Sequence, residues 1–171
     1  MDQLALDKYF STHWHPNIDQ YHYSGWALIK KIRLGESVLD VGCGTNPFKT
    51  RIANLTGIDP AFDTADFQCT IEEFQSNVKF NVAFCLGSIN FGTEATILNQ
   101  IECVVRLLTP HARMYWRCNP GQQDHGNEQC KEIDFYPWTP ELLRQYAEQF
   151  GFRVADLQQD SNNRIYCEWV R

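Results

Sequence analysis

Apolar residues along this chain form short runs that alternate with segments of one-sided helical spacing. Residues 37–41 and 82–86 are mostly apolar runs, a pattern typical of strands that are covered on both faces. Residues 93–108 instead carry apolar side chains three and four positions apart, which predicts an amphipathic helix. A second such helix is predicted after the Thr139-Pro140 pair, and Gly151 is expected to end it.

Weaker signals supply the remaining elements. Further strands are expected at residues 54–59, just before Thr70, at 113–118, and in a closing hairpin of 154–157 and 165–170. Shorter helices are expected to end near Arg33, to begin at Pro47, and to begin at Thr70, where Glu73 completes the spacing of a capping box. This alternation predicts an α/β fold, a three-layer α/β/α sandwich around a mostly parallel seven-stranded sheet with a C-terminal antiparallel hairpin.

Composition narrows the class of protein. The 171 residues, 43% of them hydrophobic, fit a single domain that spans residues 1–171 and buries a core. No apolar run is long enough for a membrane helix and the first residues lack a secretory pattern, so a cytoplasmic protein without membrane association is expected. The net charge of −6 disfavours nucleic acid as a partner, because phosphate contacts call for a basic face.

Cysteines and histidines do not form a recognisable metal or disulfide pattern. The seven cysteines are scattered and include no Cys-x-x-Cys pair, so we expect them to be reduced and mostly buried. His13 and His15 are two residues apart, a poor spacing for a shared metal ion without local partners. The sequence therefore predicts no metal site.

The segment after the first predicted strand has the properties of a ligand-binding loop. Gly42 and Gly44 lack a Cβ, so the backbone can turn tightly there and a ligand can approach it closely. Asp59 follows Gly42 by seventeen residues, at the end of the next strand, where its carboxylate can accept hydrogen bonds from both hydroxyls of a ribose. Strand, glycine turn, helix and acid together predict an adenosine-type ligand.

The residues around the loop discriminate between two adenosine ligands. The dinucleotide fingerprint Gly-x-Gly-x-x-Gly requires a third glycine where this chain has Pro47, which argues against NAD. Asp40, at the end of the first strand, would repel a pyrophosphate but suits a cationic amino-acid tail. The negative charge of Asp40 therefore favours S-adenosylmethionine over NAD.

Four segments resemble the class I S-adenosylmethionine-dependent methyltransferases, which have a Rossmann-like fold. Residues 38–46 resemble the first motif of that family, 57–60 its second-strand acid, 80–91 its fourth strand, and 107–113 its Leu-Leu-Lys-Pro-Gly-Gly-Arg stretch. The resemblance covers roughly residues 36–118. Asn46 and His111 replace glycines that are usual in the family, and Asn81 replaces a frequent aspartate.

The resemblance implies a division of the chain and a set of residues that bind the cofactor, with S-adenosylhomocysteine as the product. Residues 1–35 would be a lead-in or lid helix, 36–118 the cofactor-binding half, and 119–171 a substrate loop with closing strands. The methionine tail would lie on the glycine loop, the ribose on the second-strand acid, the adenine beside the residues that follow, and the sulfonium above the end of the fourth strand. The implied cofactor-binding residues are Asp40, Gly42, Cys43, Gly44, Asp59, Pro60, Thr70, Ile71, Leu86, Gly87 and Ser88, with Glu72 beside them.

Polar residues at strand ends are candidates for the methyl-acceptor pocket and for catalysis. The candidate catalytic residues are Asn90, Arg117, Asn119 and His125, and the candidates in the lead-in are His13, Trp14, His15, His22 and Tyr23. The structural alternative for Trp14, Tyr21 and Tyr23 is that they pack the N-terminal helix onto the sheet. The fourth strand lacks the Asn/Asp-Pro-Pro-aromatic motif of amide methylation, and no Pro-Cys pair offers a thiolate for cytosine.

Three functional hypotheses remain open from the sequence. The first is a methyltransferase acting on a small-molecule acceptor, because the chain is short, acidic and without an added recognition domain. The second is a non-catalytic module that binds S-adenosylmethionine or S-adenosylhomocysteine as a sensor or complex partner. The third transfers the aminopropyl or carboxypropyl arm of the same cofactor. A monomer and a homodimer are both compatible with the sequence.

Overall fold

The computed structural model describes residues 3–14, 24–119, 133–161 and 163–171. Its strands are β1 (Val38–Val41), β2 (Leu55–Ile58), β3 (Phe80–Leu86), β4 (Leu108–Cys118), β5 (Arg153–Gln159) and β6 (Ile165–Val170). They form one sheet in the order β2-β1-β3-β4-β6-β5. The first four positions are parallel, whereas β6 is antiparallel to both β4 and β5. The predicted parallel sheet and C-terminal hairpin are confirmed.

In the part of the chain that the structure describes, four α-helices accompany the sheet: α1 (Gln3–Thr12), α2 (Gly25–Leu28), α3 (Glu94–Arg106) and α4 (Pro140–Gln149). Short 3-10 helices span Ile29–Lys31 and Pro47–Thr50. The hydroxyls of Thr93 and Thr139 cap α3 and α4 by accepting from the backbone N–H groups three residues ahead. Both long helices lie where their spacing predicted them.

Alternate residues of the strands pack into two separate apolar clusters. Leu39 of β1 belongs to a cluster with α3 and α4, whereas its neighbour Val38 packs with Phe48 and the partly buried Trp26 of α2. A third cluster, formed by Leu6, Tyr9, Phe91, Ile133 and Phe135, attaches α1 to the loop after β3. In the described ranges no helix has the length and apolarity to cross a membrane.

Three local expectations differ from the structure. The described part of the chain has six strands instead of seven, because the segment before Thr70 makes only one isolated parallel bridge, between Ile58 and Phe67. Asp66 competes with strand pairing there, since its carboxylate accepts from Gly57 N (2.8 Å) and forms an ion pair with Lys49.

The two short helices predicted beside the glycine loop are also smaller than expected. The segment at Thr70 is a single turn, closed by Phe74 N–H donating to Thr70 O (3.0 Å), although Glu73 accepts from Thr70 N as a capping box requires. The helix after the loop begins at Pro47 but is a four-residue 3-10 helix. Asn46, at its N-cap, has a φ of 55° and makes no side-chain capping bond. The conformation of the loop therefore prevents Asn46 from capping the helix as the sequence predicted.

Candidate active site

A cleft of about 200 Å³ opens at the carboxyl ends of the parallel strands. This edge is where open α/β sheets bind ligands. Nine of the eleven predicted cofactor-binding residues line it: Gly42, Gly44, Asp59, Pro60, Thr70, Ile71, Leu86, Gly87 and Ser88. The other two, Asp40 and Cys43, line a smaller adjoining cavity that shares Gly42, Leu86, Trp14 and Arg117 with the main cleft.

The glycine loop has a conformation that few other residues could adopt. Gly42 and Gly44 have φ values of 69° and 56°, in the left-handed region. A Cβ added to Gly42 would lie 2.4 Å from the Cβ of Ser88, so the loop and the end of β3 touch through this position. The loop is anchored by Gly42 N and Cys43 N, which donate to Ile58 O of β2 at 2.8 and 3.0 Å.

Asp59 connects the second strand to the glycine loop. One of its carboxylate oxygens accepts from Gly44 N and the other from Ala61 N, each at 2.8 Å. Its side chain is largely buried, and burial raises its pKa although these backbone hydrogen bonds act in the opposite direction. The carboxylate therefore lies at the wall of the cleft with its orientation fixed by two backbone donors.

Asp40 is the most deeply buried acid of the site. It is 2% exposed, and its Oδ2 has no hydrogen-bond partner within the described ranges. Burial, together with the charge of Asp59, raises its pKa to about 7 in spite of the opposing charge of Arg117. The structure therefore contains an unsatisfied carboxylate oxygen directly beneath the glycine loop.

The candidate catalytic residues have different positions. Arg117 and Asn119 line the cleft, and Arg117 Nη2 donates to Leu86 O at 2.8 Å. Gly87, with a φ of 97°, allows this approach, because a Cβ there would lie 2.8 Å from the same nitrogen. Asn90 does not line the cleft; it is 1% exposed, and its Oδ1 accepts from Asn119 N at 3.4 Å. Asn90 thus holds the start of the segment after β4.

The lead-in candidates are only partly described. Trp14 lines the cleft, with its ring 5.9 Å from that of Phe62 and about 3.2 Å from a Cβ added at Gly44. His13 is exposed beside Tyr9 and is not among the residues that line the cleft. His15, Tyr21, His22, Tyr23 and His125 lie outside the described residues. In the described part of the chain, no group of three or more His, Cys, Asp or Glu side chains is arranged to hold a metal ion.

Several cleft residues were not anticipated from the sequence. They are Gln3, Leu6, Asp7 and Phe10 of α1, Phe62 after β2, Thr96 and Gln100 of α3, and Arg164 before β6. The helical spacing of the α1 residues was a usable signal, since positions 3, 6, 7, 10 and 14 share one face. Arg164 had no such signal, because only the antiparallel pairing of β6 with β4 brings it to this edge.

No protein-family model matches this chain, and no curated protein matches it in sequence. Solved structures are similar in fold. The 1,6-didemethyltoxoflavin-N1-methyltransferase of Burkholderia thailandensis, with bound 1,6-didemethyltoxoflavin and S-adenosylhomocysteine, aligns with a TM-score of 0.73 at 15% identity over 98% of this chain and 88% of its own.

Two further solved structures have comparable scores. The magnesium protoporphyrin IX methyltransferase of Synechocystis PCC 6803, with S-adenosylhomocysteine bound, aligns with a TM-score of 0.71 at 15% identity over 100% of both chains. A chain of the complex between the Haloferax volcanii Trm112 methyltransferase activator and a methyltransferase aligns with a TM-score of 0.69 at 13% identity, over 99% of this chain and 98% of its own. The strand order, the cleft at the carboxyl edge and these alignments together show that this chain has the fold of the class I S-adenosylmethionine-dependent methyltransferases.

Proposed function

We propose that this protein binds S-adenosylmethionine in the cleft and transfers its methyl group to a small-molecule acceptor. The observation that carries the proposal is the arrangement of Asp59 and the glycine loop, in which a buried carboxylate is fixed by Gly44 N beside backbone that has no room for a Cβ at Gly42. This is a cradle for a ribose and an amino-acid tail. Asp40 supports the same assignment, since its unpartnered oxygen can accept from an ammonium group.

Methyl transfer from S-adenosylmethionine requires little of the protein beyond alignment of the methyl donor with the acceptor. The bound cofactor would supply an electrophilic methyl group on a sulfonium, and transfer is an in-line displacement that benefits from a positioned acceptor and a site that excludes water. Under this proposal Asp59 binds the ribose and the loop binds the tail. Trp14 and Phe62, whose rings contact each other edge to face, would cover the cofactor end of the cleft.

A small-molecule acceptor is supported by the size and lining of the cleft and by the neighbours in fold. The solved structures with the two highest scores given above are enzymes for 1,6-didemethyltoxoflavin and for magnesium protoporphyrin IX. Arg117 and Asn119 lie at the cleft wall on the β4 side, where they would contact the acceptor, and Asn90 would position Asn119. His125 remains a candidate base that follows the same strand in the sequence.

Isothermal titration calorimetry of the purified full chain tests the proposal. We expect S-adenosylmethionine and S-adenosylhomocysteine to bind and NAD not to bind. Asp59→Asn should weaken binding at least about tenfold, because it removes the acceptor of one ribose hydroxyl. The matched control is Asp63→Asn, an exposed aspartate four residues away that does not line the cleft.

The outcomes separate the hypotheses. Well-folded protein that binds neither S-adenosylmethionine nor S-adenosylhomocysteine would contradict the proposal. Equal loss of affinity in Asp59→Asn and Asp63→Asn would show that Asp59 has no specific role. If the cofactor binds, incubation with cell-extract metabolites and analysis for S-adenosylhomocysteine release distinguishes methyl transfer from a binding module. Release of methylthioadenosine instead would indicate transfer of the aminopropyl or carboxypropyl arm.

A further inference from the structure

Asp7 of α1 lines the cleft but has no role in the proposed function. It lies on the helix face that also presents Phe10 and Trp14 to the cleft. Two other acids of the site have proposed roles, since Asp59 would bind the ribose and Asp40 would accept from the ammonium group of the tail. The carboxylate on the α1 wall of the cleft is therefore left to be explained.

The described contacts of Asp7 do not neutralise its charge. One of its carboxylate oxygens accepts from Gln3 Nε2 at 2.7 Å, and Gln3 also lines the cleft. Arg117, a base that lines the cleft, acts on the charge of Asp40 in the adjoining cavity. In the described ranges the ion pairs join other residues: Lys31–Glu168, Lys49–Asp66 and Arg113–Glu36. Asp7 is partly buried, so it has lost hydration without forming an ion pair there, and it is suited to a positively charged group of a ligand.

Asp7 lies within electrostatic range of the proposed ribose site. The pKa of Asp59 is raised mainly by burial, and the charge of Asp7 adds to that rise. Two carboxylates from different elements, α1 and the end of β2, therefore face a common part of the cleft and disfavour each other's ionised form. In S-adenosylmethionine a single carbon atom joins the ribose to the sulfonium. A ribose bound at Asp59 would bring that positive charge into the part of the cleft that Asp7 faces.

Aromatic rings accompany Asp7 on this side of the cleft. The rings of Phe10 and Trp14 are 6.0 Å apart, the ring of Phe62 lies 5.9 Å from that of Trp14, and all three residues line the cleft. Aromatic faces attract cations, and a carboxylate attracts a positive charge more strongly where such rings exclude water. A metal ion is a poorer occupant, because the described part of the chain has no group of three or more His, Cys, Asp or Glu side chains arranged to hold one.

We infer that Asp7 recognises the positive charge of the sulfonium and thereby shifts the preference of the cleft from S-adenosylhomocysteine toward S-adenosylmethionine. This inference rests on the proposed function and deepens it, since it assigns the selection between the two forms of the cofactor to one side chain of α1. Methyl transfer breaks the bond between sulfur and the methyl carbon, forms a bond from that carbon to the acceptor, and leaves the bonding electron pair on sulfur. The sulfur of the product is therefore neutral, and its attraction to Asp7 is lost. The same carboxylate would thus retain the cofactor before transfer and favour its release afterwards.

Calorimetric titration of the full chain with three ligands tests this role. The ligands are S-adenosylmethionine, S-adenosylhomocysteine, and sinefungin, an analogue with an ammonium group in place of the methylsulfonium. Asp7→Asn removes the charge but keeps the oxygen that accepts from Gln3. We expect this substitution to weaken S-adenosylmethionine and sinefungin at least about fivefold and S-adenosylhomocysteine less than about twofold, with a difference that decreases as salt is added.

Controls separate the charge of Asp7 from general damage to the site. Asp7→Glu keeps the charge and should retain part of the preference, whereas Asp63→Asn, at an exposed position that does not line the cleft, should change none of the three affinities. Failure of the wild-type chain to bind S-adenosylhomocysteine would contradict the proposed function itself. If that compound binds, equal losses for all three ligands in Asp7→Asn, no loss for the two cations, or the same losses in Asp63→Asn would each overturn the present inference.

Discussion

The carboxylate of Asp59 accepts a 2.8 Å hydrogen bond from the backbone N–H of Gly44, fifteen residues earlier in the chain. This hydrogen bond therefore couples the end of β2 to the glycine loop after β1. Because the second oxygen of Asp59 is held by Ala61 N, the carboxylate has little freedom to rotate. The loop and the proposed ribose site should therefore respond together when either is altered.

Gly42→Ala should damage the site more than the same substitution at another glycine with positive φ. Gly42 (φ 69°) has the Ser88 Cβ 2.4 Å from the added methyl position, whereas Gly35 (φ 84°) has nothing within 4 Å. Both variants place an alanine in left-handed backbone, which destabilises the folded state. In Gly42→Ala the added methyl group also clashes with Ser88. We expect Gly42→Ala to lose about 1–3 kcal/mol more in urea unfolding and to lose S-adenosylhomocysteine binding. Equal stability of the two variants would show that the loop and Ser88 can separate freely.

Asp40 should make the stability of the protein depend on pH. Burial, with the Asp59 charge, raises its pKa from 3.8 to about 7, against the effect of Arg117. Between those pH values Asp40 is protonated in the folded state and ionised in the unfolded state. The contribution of Asp40 to the free energy of unfolding therefore falls as pH rises and levels off above about pH 7.

Asp40→Asn removes this dependence. The difference in unfolding free energy between the variant and the wild type should shift in favour of the variant by up to about 4 kcal/mol from pH 4 to pH 8. Urea titrations at a series of pH values measure the shift. Parallel pH profiles of the two proteins would mean that Asp40 is already ionised in this pH range and that its charge is compensated.

Trp14 should report binding of the cofactor by its fluorescence. Of the five tryptophans, all in the described part of the chain, Trp14 is the one that lines the main cleft. Its ring contacts the glycine loop at Gly44, so a ligand there changes its environment. We expect S-adenosylhomocysteine to change the emission of the wild type and of Trp26→Phe, but not of Trp14→Phe. Trp26 is a suitable control because it packs on Phe48 and Arg51, away from the main cleft. A signal that survives in Trp14→Phe would place the ligand elsewhere.

Trp138 should stabilise the loop after β3 through a single hydrogen bond. Its Nε1 donates to Ile89 O at 2.8 Å, and both residues are buried. Trp116, equally buried, has no hydrogen-bond partner for its Nε1 in the described ranges. Trp138→Phe and Trp116→Phe therefore remove the same side-chain volume, but only the first also orphans a buried carbonyl. We expect Trp138→Phe to lose about 1–3 kcal/mol more in urea unfolding. Equal losses would assign the stabilisation to packing alone.

The features predicted correctly are those encoded within a short stretch of sequence. The helices α3 and α4 were identified because apolar spacing and the caps Thr93 and Thr139 are local signals. The positions of the glycine loop and of Asp59 at the ends of β1 and β2 were predicted because a strand, a turn and the next strand end follow one another within about twenty residues. Their role in binding a ligand stays a proposal. The hairpin of β5 and β6 likewise depends on neighbouring segments.

Features that depend on distant parts of the chain were decided only by the tertiary structure. The expected strand before Thr70 was reduced to one bridge because Asp66 bonds to Gly57 and Lys49 instead. The raised pKa of Asp40 follows from burial under the loop, which no local pattern specifies. Arg164 lies beside the end of β4 because β6 runs antiparallel to it, and α1 reaches the cleft through its contacts with Phe91. The sequence by itself determined where the glycine loop is, since loop conformation and spacing are local. Only packing of segments far apart in the chain decided which other residues line the cleft, because convergence of side chains from separate strands and helices has no periodic signature.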